Sequence, residues 1–519
     1  MADAAGVPTS SGRADRFARN LGWNMLGQIG IGAISFLCVP VLVRHFGVES
    51  YGLYILLYAA SNYLSLATFG SANSTVKYLA QFKAEHNVQG VRGTMKYALF
   101  MHVAGSLLTA GILGFGARFW AVRLFHIPPP LVEKAVFILR CAATGGVSLA
   151  LIQYSNAVMQ GLQRFDWQNI LAVGQSGLMP LGAVLLVAAG FGLRGVSAWY
   201  VLLNTAVALA SLIVIRRLLH FLKEPGGRGK FPRKDFFLYG LSVWLGPLAW
   251  IVTFQLDKVF IARATSLTAL TLYAVPSGLL QRLQSLPTMV ASVVMPMMSE
   301  MKDTGDEETL IRIYLKSVRF LLWAVLPVLV FLFALIPQFL TLWLGGQFGD
   351  RSVWPARLLV VAQVFISLNF IPHSLASARG KPSYVTAVSW GQAVISVLAW
   401  HWLLPRYDIL GVAIGSLLAQ VIPAFFYLWA VHRNILGIGF ARYFAQSLWR
   451  PFLCAGILLA VVFPIHRFGY AWEGFLAIVV GGGLIYCAAA WLLLDADDRW
   501  MLHKVLAGAS RRLGLRALE

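Results

Sequence analysis

Charge is scarce in this chain. Of its 519 residues only 12% are Asp, Glu, Lys or Arg, about half the share a soluble domain carries. Acids are the scarcer sign, 21 against 42 Lys and Arg. Too few charges remain to coat a water-exposed surface of this length. Cysteine is nearly absent. Cys38, Cys141, Cys454 and Cys487 each lie in an apolar run, which excludes a disulfide framework and thiolate metal spacing. No GxxxxGK[ST] phosphate loop occurs, so ATP hydrolysis by that route is excluded. Gly27, Gly30 and Gly32 sit inside an apolar segment without a preceding strand, and read as close helix packing rather than a dinucleotide site. No His/Cys/carboxylate cluster has metal spacing, and the outer loops are short. The sequence therefore implies no cofactor, no metal and no enzymatic domain.

What is present is apolar residue, 58% of the total, in recurrent runs of bilayer-spanning length. In lipid such runs must be helical, because nothing else satisfies their backbone N–H and C=O groups. The expected fold is all-α and polytopic, with spans at 21–43, 51–79, 97–117, 133–157, 169–190, 196–219, 238–261, 269–297, 320–342, 354–378, 384–404, 410–431, 449–466 and 473–494. Arg13, Arg16 and Arg19 precede the first, which is too long for a signal-peptide core. With the N-terminus placed in the cytoplasm, inner segments hold roughly three times as many Lys and Arg as outer ones. That excess puts both termini inside a bacterial inner membrane. It also accounts for the net charge of +21, which is scattered over loops, so no nucleic-acid partner is implied. Trp23, Trp199, Trp354, Trp402, Trp449, Trp472 and Trp491 fall near span ends as an aromatic belt.

The two halves resemble each other at an offset of 219. Tyr51-Gly52-Leu53-Tyr54 faces Leu270-Thr271-Leu272-Tyr273, and Gly161 faces Gly380. The expected organisation is a cytoplasmic segment at 1–20, an N-lobe of six spans at 21–219 and a basic linker at 220–237. A C-lobe of six spans follows at 238–431, then an interfacial segment with spans 13 and 14 at 432–494, and a cytoplasmic tail at 495–519. Parallel repeats of this kind place a substrate site between them.

Polar residues recur at helical spacing in matching spans. The second span carries Tyr54, Tyr58, Asn62, Ser65, Asn73 and, at its inner mouth, Lys77. The eighth carries Tyr273, Ser277, Gln281, Gln284, Thr288 and Ser292. Asn20, Asn24 and Gln28 share a face of the first span, and Ser242, Thr253 and Asp257 lie on the seventh. Polar faces avoid lipid, so these spans are expected to line a shared polar space, or to hydrogen-bond within a packed bundle. Arg282 lies about 20 Å into the eighth span at 1.5 Å per residue. An arginine at mid-bilayer requires water, a counter-ion such as Asp257, or an anionic ligand. Arg140 lies within the fourth span, placed either to serve the cavity or to snorkel outward. Lys77 suits a phosphate or simply the positive-inside rule. Asp257 with Lys258 is either an ion-coupling acid or an interfacial pair. Pro247, Pro276 and Pro287 interrupt spans 7 and 8, and Pro247 and Pro276 are the hinge candidates.

Further motifs carry a family resemblance. These are Asn24-Met25-Leu26-Gly27-Gln28, Pro40-Val41-Leu42-Val43-Arg44-His45-Phe46-Gly47 followed by Tyr51-Gly52-Leu53-Tyr54, Gln160-Gly161-Leu162-Gln163-Arg164-Phe165, and Gln255-Leu256-Asp257-Lys258. Over nearly the whole chain the sequence resembles the polysaccharide-transporter, or oligosaccharide flippase, family of the multidrug/oligosaccharidyl-lipid/polysaccharide exporter superfamily. The resemblance implies two six-helix lobes around a central cationic cavity, with spans 13 and 14 appended. It implies transfer of undecaprenyl-pyrophosphate-linked sugar repeat units between leaflets, for O-antigen, capsule or exopolysaccharide. The implied partners are that glycan lipid, the bilayer and a polysaccharide polymerase or co-polymerase. Arg282, Asn24, Gln28, Asn62, Asn73, Lys77, Arg140, Gln281 and Gln284 are the candidate cavity residues, and Asp257 is the ion-coupling candidate. The alternatives are a cation-coupled drug antiporter of the same superfamily, which would favour acids in the cavity, and a peptidoglycan-precursor flippase, which differs in cargo.

Overall fold

The computed structural model describes residues 10–219, 231–301, 306–495 and 498–499. Side chains before Gly30 are not among those described, nor are those of 31, 65, 292–293, 347 and 349–350. Asn24 and Gln28, most of the basic linker and most of the tail therefore lie outside the described residues or side chains.

The described chain contains helices and connections and no strand. The longer helices are α1 Ser10–Leu64, α2 Ser71–Ala84, α3 Val88–Phe115, α4 Pro129–Gly161, α5 Phe165–Ala188, α6 Leu193–Leu218 and α7 Arg233–Ala264. They continue as α8 Leu267–Leu283, α9 Ser285–Glu300, α10 Glu307–Leu344, α11 Gly349–Ala378, α12 Pro382–Val431, α13 Trp449–Ile465 and α14 Trp472–Leu493. Starts follow local chemistry. The Asn87 side chain accepts from Gly90 N–H ahead of α3, and Asp306 accepts from Thr309 N–H ahead of α10. Pro129 and Pro382 occupy first-turn positions, where a missing N–H costs nothing.

Among the described residues, eleven helices are long and apolar enough to cross a membrane. The chain is thus an all-α, multi-pass membrane protein. The lower count against fourteen expected spans has three local causes. Spans 1 and 2 run together in α1 across a kink at Gly47 (φ 75°, ψ 160°). Spans 11 and 12 run together in α12 across Asp408 (φ 53°, ψ −143°). The eighth span is divided into α8 and α9, each too short to count alone.

The second span is divided as well. A 3-10 turn at Ser65–Thr68, then left-handed Phe69 (φ 46°) and Gly70 (φ 69°), separate α1 from α2. Helices α1 and α8 end at Leu64 and Leu283, 219 residues apart. The reversal after Gly161 differs from the expected pairing. The left-handed residue matching Gly380 is Gln163, not Gly161. Arg164 N–H bonds to Met159 O at 2.8 Å, as Lys381 N–H does to Ala376 O at 2.8 Å. Both are helix ends closed by six-to-one bonds over a left-handed residue.

The chain divides into two compact units. Unit one holds the described residues up to Ile251 together with Lys258–Thr271. Unit two holds Val252–Asp257 and the described residues from Leu272 on. Helix α7 therefore contributes to both. In unit one, α4 packs against α1, α3 and α6 around Tyr78, Leu79, Phe82, Tyr154, Val158 and Phe236. The break before α2 is held from two sides. A Cβ on Gly70 would lie 2.1 Å from Gly240 O, and one on Gly105 would lie 2.2 Å from Ala67 O. Ser74 Oγ donates to Phe236 O at 2.8 Å, tying α2 to α7.

In unit two, α10 is the central helix. One face packs against α11 through Leu321, Leu322, Val325 and Leu375. Another receives α13 and α14 through Leu335, Cys454, Leu458 and Ile478. Within the segment at 432–494, the chain runs through Phe440–Tyr443 and a π turn directly into α13. Tyr443 is fully buried there against His432, so the segment is anchored inward.

Candidate functional site

Inside unit two, four helices turn polar side chains onto one cavity of about 40 Å³. Helix α7 supplies Thr253 and Asp257, one turn apart. Helix α8 supplies Tyr273, Ser277 and Gln281, each one turn further, and Gln284 follows at the break. Helix α11 supplies Gln363, and α12 supplies Ser416 and Gln420. Steps of four keep each set on one helix face. Leu280, Leu359, Ala362 and Ile366 complete the cavity's apolar lining.

Hydrogen bonds fix several members of the ring. Gln281 Nε2 donates to Phe254 O at 3.2 Å, which leaves its Oε1 as an acceptor. Gln392 Nε2 donates to Gln420 Oε1 at 3.0 Å, and the Tyr273 and Ser416 hydroxyls lie 3.4 Å apart. Ser277 Oγ and Gln363 Nε2 are buried without a hydrogen-bond partner. Buried polar atoms are nearly always satisfied, so two such atoms in one ring point to a polar occupant. The volume exceeds the about 10–15 Å³ that one water requires. Asp257 is 4% exposed and is the one carboxylate in a ring otherwise made of hydroxyls and amides. Oxygen donors with a single negative charge suit a proton or a small hard cation.

Asp257, Gln281 and Gln284 thus meet in this cavity. Arg282 occupies the adjacent position, is exposed, and does not line it. It stands in the last turn of α8, where the helix dipole favours a cation. Pro247 and Pro276 lie inside continuous α7 and α8, and the interruption comes at Gln284 instead. In unit one the expected polar stripe divides. Tyr54 and Tyr58 bond to each other at 3.0 Å and stack toward Tyr200, which makes them interior packing. Asn62 is exposed before the break, and Asn73 and Lys77 are exposed together one turn apart after it. Lys77 Nζ sits 3.9 Å from the centre of the Tyr239 ring. No carboxylate among the described residues pairs with it. Arg140 is exposed on α4, away from these groups in sequence and without an ion pair among the described residues.

Gln363, Ser416 and Gln420 were not singled out from sequence. The available signal was an amide inside an otherwise apolar run. It does not reveal which way the helix is turned.

A bundle of membrane-crossing helices, with interrupted spans and a polar ring held in its apolar interior, defines a membrane transport protein. The chain belongs to the polysaccharide biosynthesis protein family, whose model matches residues 17–302, and the resemblance read from the motifs above is borne out. A Shigella flexneri protein named for O-antigen transport is 19% identical over 80% of this chain and 97% of its own length. The succinoglycan biosynthesis transport protein ExoT of Rhizobium meliloti (strain 1021) is 23% identical over 97% of this chain and 98% of its own. Among solved structures, an inward closed conformation of the lipid II flippase MurJ superposes with a TM-score of 0.68. It covers 91% of this chain and 98% of the other at 14% identity, which shows a shared fold.

Proposed function

We propose that this protein carries a polyprenyl-pyrophosphate-linked oligosaccharide from the inner to the outer leaflet of a bacterial plasma membrane by alternating access. The family membership carries this reading, and the relatives named for O-antigen and succinoglycan transport support it. The chemistry of the chain agrees with it. A pyrophosphate entering a low-dielectric space needs cations, because charge pairing there is strong. Lys77, with no carboxylate partner among the described residues, and Arg282, deep in the eighth span, are the residues assigned to it. Asn62, Asn73 and the other amides named above suit sugar hydroxyls, and the lipid tail stays in the bilayer. Movement of a proton or small cation through the Asp257 ring would supply the drive. Both termini would be cytoplasmic, and a polymerase would receive the product.

Reconstitution into liposomes with a polyprenyl-pyrophosphate oligosaccharide tests the reading, scored by exposure of the sugar to an outside probe. Wild type should expose it, and Arg282→Ala should do so roughly ten- to a hundredfold more slowly. Exposure at the rate of protein-free liposomes for folded wild type would overturn it.

A further inference from the structure

A second cavity in unit two, of about 900 Å³, lies apart from the polar ring. Its size is at the upper end of the about 300–1,000 Å³ found for ligand pockets. It is walled by Phe365 and Leu368 of α11, Leu428 of α12, and Phe440 and Phe452 on the way into and within α13. Arg433 is the one charged residue that lines it. His432 also lines it but is buried, with its Nε2 2.8 Å from the Tyr314 hydroxyl. A groove with walls of carbon and a guanidinium at one end has the polarity of a lipid.

The ion pairs at this end of the unit sharpen that reading. Arg379 pairs with Glu307, and Arg442 pairs with Glu308. Arg433 and Lys381 have no carboxylate partner among the described residues. Arg433 stacks on Trp429 at 5.4 Å, and Lys381 Nζ lies 3.4 Å from the carbonyl of Asn434, the residue next to Arg433. Both are exposed. Glu307 and Glu308 are thus held by other arginines, and Lys381 and Arg433 converge on one turn at the mouth of the groove. Basic residues so placed beside apolar walls hold anionic lipid headgroups.

We infer that this groove is a site for one anionic glycerophospholipid of the surrounding bilayer, its phosphate held by Arg433 and Lys381 and its acyl chains lying along α11, α12 and α13. The lipid fills the space between α13 and the helices packed on α10. It acts as a structural ligand and is separate from the transported cargo.

The test uses the full chain in nanodiscs of phosphatidylcholine doped with phosphatidylglycerol, and native mass spectrometry after release into detergent. Wild type should retain one phosphatidylglycerol in preference to phosphatidylcholine, and its melting temperature should rise with phosphatidylglycerol content. Lys381→Ala/Arg433→Ala, at two exposed positions, should fold normally yet bind that lipid roughly tenfold more weakly or worse. Val364→Trp, which fills the groove without altering charge, should lose retention of both lipids. Arg406→Ala, an exposed arginine elsewhere, should behave as wild type. Equal retention of the two lipids by wild type, or unchanged retention by the double variant, would overturn the assignment. So would displacement of phosphatidylglycerol by equimolar polyprenyl phosphate, which would give the groove to cargo. None of these outcomes depends on transport activity.

Discussion

Asp257 and Arg282 lie on consecutive elements of unit two yet carry opposite assignments, and their settings differ accordingly. Asp257 is buried in a ring of hydroxyls and amides, whereas Arg282 is exposed at the end of a half-helix. Asp257→Asn keeps the shape and removes the charge. Sugar exposure by this variant should become insensitive to an ionophore that slows wild type. An undiminished ionophore response would make Asp257 a packing residue. For Arg282→Ala, a charge-assisted hydrogen bond of about 1.5–3 kcal/mol is lost, so transport should fall roughly ten- to a hundredfold. The amount of folded protein, followed by size-exclusion chromatography, should stay the same. Arg282→Lys should recover part of the activity if a phosphate is the ligand. The same scale shows where sequence reading stopped. Asp257, Gln281 and Gln284 were legible because a polar residue at helical spacing stands out in an apolar run. Gln363, Ser416 and Gln420 were not. Helices α11 and α12 carry polar residues on more than one face, among them Ser352, Arg357, Ser367, Asn369, Gln392 and Ser396, and only packing decides which of them meet the cavity.

Breaks and closures are set by elements. The existence and approximate ends of the spans were legible, since a bilayer imposes both length and helicity. The positions of the breaks were not. Of the expected interruptions, Pro247 and Pro276 lie inside α7 and α8, which pass through them, whereas Pro287 stands in the first turn of α9, just after the break at Gln284. Neighbouring helices can absorb the missing hydrogen bond of a membrane proline. The break in the second span instead needs left-handed residues and a close neighbour, which Gly70 supplies against Gly240. Gly70→Ala adds a Cβ at 2.1 Å from a carbonyl oxygen and at positive φ, and should destabilise by more than about 1 kcal/mol. A melting temperature equal to wild type would contradict the tight approach. Gly246→Ala has nothing within 4 Å and is the matched control. A second element, the chain after α14, is clamped by charge. Arg319 is 7% exposed and pairs with Asp495 at 2.9 Å and Asp498 at 2.6 Å, and Arg450 also pairs with Asp495. Pairing with Arg450 first, and with Arg319, holds the Asp495 carboxyl below its usual range. Burial pushes Asp498 up against the pull of Arg319. A lowered carboxylate contributes stability that is present above its unfolded pKa of about 3.9 and lost as pH falls through the folded value. The raised Asp498 opposes this, favouring its protonated form as pH falls. Arg319→Ala strands a buried carboxylate, which typically costs about 3–5 kcal/mol. Its melting temperature at pH 7 should therefore fall well below that of wild type, and the gap should narrow toward pH 4 as the acids are neutralised. A gap independent of pH would show that Arg319 acts by packing alone.

At the scale of the molecule, the scarcest resource is negative charge, and its placement bears on how the chain sits in the membrane. Several of the acids in unit two are spent on arginines at the α10 and α13 ends: Glu307, Glu308, Asp495 and Asp498. Lys and Arg in the remaining loops keep their charge, and a bilayer reads that excess as the side that stays in the cytoplasm. With both termini cytoplasmic, as proposed, the basic stretch between α6 and α7 faces inward and the turn between α5 and α6 faces outward, since one span separates them. In a variant lacking the four native cysteines, a single cysteine at Gly226 should react with a membrane-impermeant maleimide only after the cells are opened. One at Gly190, a turn residue whose absent Cβ meets nothing within 4 Å, should react in intact cells. The opposite pattern would invert the orientation, and with it the direction assigned to transport. Equal labelling of both sites in intact cells would break the alternation of α5 and α6 across the bilayer, and the spans would have to be reassigned.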